Sequence, residues 1–212
     1  MKSAVATANV ERTWHRGLTR EAIVAAALRI IDDEGREALT MRRLARSLAI
    51  EAPSLYAHLG SKDELVDAVL DSVLETVEVP EPTADVRASL VAGFVNYRRA
   101  LLHHPWIVGL MTERARLSGA QFRLVRRSIE LLESAGLSTR AAVDAHVTMV
   151  AFVLGFLLQE VSRPTGPPQG GASGTDPVVA RALTANAERS VDERFEVGLG
   201  LILDGVGVPG QP

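Results

Sequence analysis

From residue 19 onward, apolar residues recur at helical rather than strand spacing. Ile23, Ala26, Ala27, Ile30 and Ile31 fall at i, i+3, i+4, i+7 and i+8, which makes a single stripe. Thr19 stands where the helix needs a cap, and Gly35 offers a left-handed stop. A short helix opens behind Thr40, with Met41, Leu44, Ala45 and Leu48 on its inner face. A third begins near Ala52 and ends near Gly60, with Pro53 in its first turn, where the missing N–H has no intrahelical partner to lose. Ser61-Lys-Asp-Glu64 spells a capping box, predicting a longer helix to about Glu78 with Leu65, Val69, Val73 and Val77 inward.

The pattern then lengthens. VPEPTAD (residues 79–85) reads as a linker. Helices are predicted over about 84–103, briefly after Pro105, from the capping box Ser118–Gln121 to about Ala135, from Ser138 to about Ser162, and over about 178–188 and 191–206. The Pro- and Gly-rich residues 164–177 read as a flexible loop. No segment alternates convincingly as a strand and no repeat is visible, so the expected class is all-α.

Composition changes this picture in three places. The 212 residues include no cysteine, which removes disulfides and thiolate chemistry. The first residues, MKSAVATANVERTWHRG, hold no apolar run of the signal-peptide kind. Val147 to Leu158 is the most apolar stretch, but it is shorter than the roughly 20 residues of a membrane span and reads as a buried core helix. The expectation is a soluble cytoplasmic protein with no membrane partner. Charge is uneven. Residues 1–62 hold 10 Lys+Arg against 7 Asp+Glu, whereas residues 63–212 hold 13 against 19. A basic front on an acidic body fits a polyanion met by the front only, and it fits ordinary scatter of charge as well.

The second and third helices, joined through Leu48-Ala49-Ile50, have the layout of a helix-turn-helix. The third buries only Leu55 and Leu59 and carries many donors. Tyr56, His58 and Lys62 can reach phosphates along a groove, with Lys62 at a helix start. Small residues at Ala52, Ser54 and Ala57 permit close approach. Spacing alone fits a second reading equally well, in which Tyr56 and His58 finish the packing of a small bundle and Lys62 is a solvated charge.

Residues 19–78 resemble the DNA-binding domain of the TetR family of bacterial transcription regulators. The resemblance rests on the first helix ending in Gly35, on LTMRRLARSL (39–48) and on APSLYAHLGSKDELVDAV (52–69). It implies phosphate contacts from Thr40, Tyr56, His58 and Lys62. It also implies base-reaching positions at Arg42, Ala52, Pro53 and Ser54, with Arg42 able to grip a guanine bidentately. Ala49 stands where the family usually has glycine. The implied architecture is an N-terminal three-helix helix-turn-helix domain joined by a linking helix to a helical ligand-binding and dimerisation domain. The expected boundaries are an arm at 1–17, a DNA-binding domain at 18–64 and an effector and dimer domain at 65–212. Lys2, Arg12, His15 and Arg16 could bring the arm to DNA beside the main site.

Further on, HVTMVAFVLGFLLQE (146–160) and FEVGLGLILDG (195–205) resemble the last core helices of the tetracycline repressor branch, which pair between two subunits. That implies a homodimer on palindromic operator DNA. The candidate interface is Gly155, Phe156, Phe195, Gly198, Leu199 and Ile202. Candidates for an effector-pocket wall are Phe94, Tyr97, Trp106, Met111, Phe122, His146, Met149 and Phe152. Three polar residues that hold the tetracycline–magnesium chelate in that branch fall here at Val77, Gly93 and Met111. The expected effector is therefore apolar or aromatic and metal-free. His103-His104 and the Asp144/His146 pair diverge around a helix, and no phosphate loop or nucleophile elbow occurs. No enzyme and no cofactor is expected. The rivals are a small-molecule or lipid carrier with a vestigial helix-turn-helix, and a helical enzyme.

Overall fold

The computed structural model describes residues 18–208 except 82, 84, 114, 115 and 163–175. The N-terminal arm and most of the Pro- and Gly-rich loop lie outside the described residues. Among those described, every regular element is helical. The chain divides into two compact units, Met1–Ser72 and Val73–Pro212.

In the first unit, α1 spans Arg20–Glu34. The Thr19 hydroxyl accepts from the Ala22 N–H, and Gly35 stops the helix at φ +87°. A 3-10 turn, Arg36–Ala38, follows unannounced by periodicity because it is too short to show one. The second helix, α2 (Met41–Ser47), is capped by Thr40 through the Arg43 N–H. After it, Ala49 adopts φ +51°, in the left-handed region where glycine is normally placed.

The third helix, α3, is Ala52–Tyr56, shorter than its sequence pattern implies. The Leu55 carbonyl accepts from both His58 and Leu59 at 3.0 Å, so the chain tightens and leaves the helix there. His58 thus stands on the turn after α3. The next helix, α4 (Lys62–Leu74), also ends early, because Thr76 folds its N–H and hydroxyl back onto the Val73 carbonyl. Its capping box is displaced. Ser61 Oγ takes the Glu64 N–H, but the Glu64 carboxylate reaches Gly60 N–H rather than Ser61. Glu64 also pairs with Arg20 at 2.5 Å. Ile23, Ala27, Leu44, Leu55, Leu59 and Leu65 form this unit's apolar centre, all at or below 1% exposure.

The second unit contains α5 (Val86–His103), α6 (Ile107–Glu113), α7 (Gly119–Ser134), α8 (Thr139–Val161), α9 (Pro177–Ala187) and α10 (Val191–Gly205). The Ser118–Gln121 box closes in both directions, as its spelling predicts. Helices α5, α7 and α10 pack around α8 with Leu101, Leu132, Val153, Leu157, Phe195 and Leu203 between them.

One sequence expectation fails here. The helix α8 is not a buried core helix. It runs 23 residues, is long and apolar enough to cross a membrane by length and composition, and has only 28% of that window buried. One side packs inward through Met149, Val153 and Leu157. Val143, Val147, Leu158 and Val161 on the other side stay exposed. The sequence could not separate the two sides because both are apolar.

Candidate nucleic-acid interface and ligand cavity

Seven of the eight residues that the sequence assigns to DNA are exposed, and Ala52 is half-buried. Tyr56 keeps 51% of its surface, which a bundle-filling tyrosine would not. Among the described residues, nothing engages the side chains of Arg42, Tyr56, His58 or Lys62. Neighbouring polar groups are committed to the fold. Arg43 pairs with Glu34 through two guanidinium nitrogens, so its charge is already engaged. Thr40 Oγ1 caps α2. Pro53 and Ser54 stand exposed in the first turn of α3, held by Leu55 beneath them at 0% exposure.

The second unit encloses a cavity between α5, α7 and α8, reached also by Val77, Val79 and Met111. It offers about 140 Å³ to water-sized occupants, some ten times what one water requires. Four of the eight wall candidates line it: Phe94, Tyr97, Met111 and His146. The other four do not. Trp106 meets His104 edge-on at 5.8 Å, and Phe122 points outward with 62% exposure. Met149 is core at 0% exposure, and Phe152 stacks on Phe195 at 5.5 Å. Helical aromatic spacing cannot tell a cavity wall from a core or a surface, which is why the sequence overcounts.

Sequence reasoning also missed Ser89, Leu117, Leu124, Ser128 and Val150, small or aliphatic residues with no signature of their own, and Gln121, whose capping box marks a helix start and not a cavity wall. Val77, Gly93 and Met111, where the tetracycline branch is polar, all belong to the wall. Burial pushes the Tyr97 phenol well above its ordinary range, and its hydroxyl has Met111 Sδ at 3.6 Å. Burial lowers the His146 imidazole below the usual 6.5. No Asp, Glu, Lys or Arg lines the cavity among the described residues.

Residues 23–69 match the family of bacterial regulatory proteins called tetR, and residues 79–208 match the tetracyclin repressor-like C-terminal domain. The chain belongs to the TetR family. The tetracycline repressor protein class A from transposon 1721 of Escherichia coli is 30% identical over 192 residues, or 87% of this chain and 88% of that protein. The structure of ActR from Streptomyces coelicolor in complex with actinorhodin has 33% identity and a TM-score of 0.75, covering 90% of this chain and 97% of its own. BioQ of Mycobacterium smegmatis is a further relative. A structure of BioQ with its double-stranded DNA operator has 28% identity and a TM-score of 0.66, covering 91% and 100%. This TetR-family protein is a DNA-binding transcriptional regulator and not an enzyme.

Within the TetR chain, the six dimer candidates separate into two groups. Phe195 and Leu199 have 0% exposure, buried by the chain's own packing. Gly198 serves the same core, since a Cβ there would collide with the Phe152 ring. Phe195 and Leu199 are therefore corrected from the interface to internal packing, while Gly198 is half-buried against the Phe152 ring. Phe156 is half-buried in an aromatic group with Phe152 and Phe195. Gly155 faces open space, where a Cβ would meet nothing within 4 Å, and Ile202 is half-buried. The exposed apolar side of α8 lies near them in sequence, and α10 adds Val197 and Leu201 at 42% and 68% exposure.

Arg98 ties these helices together from within the TetR fold. Its guanidinium binds Glu160 of α8 at 2.7 and 2.9 Å and Asp192 of α10 at 2.7 Å. It also lies 4.9 Å from the Phe195 ring centre and 5.5 Å from that of Phe156. Nothing in the sequence marks it, because its partners lie 62 and 94 residues away.

Proposed function

We propose that the protein is a homodimeric repressor that binds a palindromic operator through α2 and α3 and leaves it when a small apolar or aromatic effector enters the cavity. Residues 18–64 carry DNA binding and residues 65–212 carry effector binding and dimerisation. Thr40, Tyr56, His58 and Lys62 hold phosphates, and Arg42, Ala52, Pro53 and Ser54 face base edges. The observation that carries this reading is the row of exposed, unengaged donors on and around α3, where a packing role would leave them covered. It favours the regulator over a carrier with a vestigial motif.

The lining supports a metal-free effector, since among the described residues it holds no carboxylate and Met111 stands where the tetracycline branch has its metal ligand. Effector and operator each weaken the other's binding by the same factor. The second copy covers the exposed apolar side of α8 and the outer positions of α10. The work of such a protein lies in the cytoplasm, where its DNA is.

Gel shifts with DNA flanking the protein's own gene test the reading. A specific complex at physiological salt is expected, with affinity falling steeply as salt rises. Folded, dimeric protein that forms no such complex would overturn it.

A further inference from the structure

The polar groups around the cavity fall into two sets. Some are satisfied by the fold. Ser89 Oγ lies 3.1 Å from both Thr83 Oγ1 and the Asp85 carbonyl, and Gln121 Oε1 accepts the Ser118 N–H at 2.8 Å. Others are not. Ser128 Oγ on α7 and His146 Nδ1 on α8 are shut away from solvent and have no hydrogen-bond partner among the described residues. Both residues line the same cavity, and Ser128 is only 9% exposed. Buried polar side-chain atoms are paired in the large majority of cases, so two orphans on one wall, contributed by two packed helices, call for a partner.

The rest of the wall limits what that partner can be. A charged molecule would lose its hydration and meet no countercharge, because no charged residue lines the cavity among the described residues. Phe94, whose ring centre lies 6.3 Å from that of His146, and Tyr97 give an aromatic surface for a flat molecule. Resting on the effector reading above, we propose that Ser128 and His146 are the polar recognition pair of the cavity, and that the effector is a neutral aromatic molecule whose hydroxyl or carbonyl group hydrogen-bonds to them. A hydroxyl suits both residues, since Ser and neutral His can each donate and accept.

Calorimetric titration of the full chain with three probes tests this: naphthalene, 2-naphthol and 2-naphthoate at neutral pH. The wild-type protein is expected to bind 2-naphthol about tenfold more tightly than naphthalene, the effect of one well-made buried hydrogen bond. The anionic 2-naphthoate is expected to bind at least about tenfold more weakly than 2-naphthol. In the double variant Ser128→Ala/His146→Phe, the preference for 2-naphthol should collapse to within about twofold while naphthalene still binds, which certifies an intact cavity. If the double variant does not fold, Ser128→Ala alone must lose at least about threefold of the preference.

Equal binding of the three probes by the wild type would overturn the proposal and leave the effector cavity standing. So would an undiminished preference in the variants. Binding of no probe at all would remove the effector cavity itself, and this proposal with it.

Discussion

Arg42 on α2 and Arg98 on α5 are the same side chain in opposite circumstances. Arg42 is exposed, and its side chain makes no hydrogen bond or ion pair with a described residue. Arg98 is 5% exposed and fully occupied by two carboxylates and two aromatic rings. The contrast extends to the regions around them. On the proposed DNA face, the chain leaves donors open to water, at little cost, and the fold does not depend on them. In the second unit, a polar group is either tied off, as Arg98 is, or left orphaned at the cavity, as Ser128 and His146 are. Polar groups on the first unit's face should thus affect binding without affecting stability, whereas in the second unit the two effects are mixed.

The largest expected effect comes from Arg98→Ala. It strands Glu160, whose side chain is 23% exposed, and should cost about 3 kcal/mol of stability. Denaturant unfolding at fixed protein concentration measures it, and a loss under about 1 kcal/mol would mean that the network is decoration.

Next comes Arg42→Ala, expected to weaken operator binding by about 1–3 kcal/mol and to relax preference at one base position. Lys62→Ala should weaken all sequences alike and flatten the salt dependence by about one unit. Both should leave the unfolding free energy within about 0.5 kcal/mol of wild type, and a larger shift in either would break the comparison.

A smaller effect tests the turn between α2 and α3. Ala49→Gly relieves the left-handed strain but gives the unfolded chain more freedom, so a net gain of about 0.5 kcal/mol is expected by thermal unfolding. The smallest effect is a pH dependence. His146 is held below its ordinary 6.5, so the unfolded chain takes up this proton first as pH falls. Its contribution is therefore a loss of stability below about 6.5 and none above it. The slope between pH 7 and 5 should be shallower in His146→Phe.

Much of the fold was legible because helices announce themselves at both ends. Thr19, Thr40, Ser118 and Ser138 cap where their spelling places them, and Gly35 and Gly136 take positive φ. The helix-turn-helix was readable for the same reason, although where α3 stops depends on the Leu55 carbonyl taking both the His58 and the Leu59 N–H, which no periodicity encodes. The cavity was half legible. Phe94, Tyr97, Met111 and His146 were in reach as large groups on the right helices, but Ser128 and Gln121 look like ordinary helix positions until three helices meet around them. Phe195 and Leu199 were misread as interface for a related reason. A stripe on α10 reads the same whether it meets its own chain or a second one.

The two-sided α8 makes dilution a variable in its own right. In the proposed dimer a second copy covers Val147, Leu158 and Val161, and dilution below the assembly constant returns these residues to water by mass action. Melting temperature should then climb with concentration even in the absence of effector and DNA. An operator isotherm taken below the assembly constant should steepen, because two subunits must first find each other. Cells that make few copies of the protein would hold a reserve of single chains whose recruitment, rather than their affinity, sets how sharply the target gene responds.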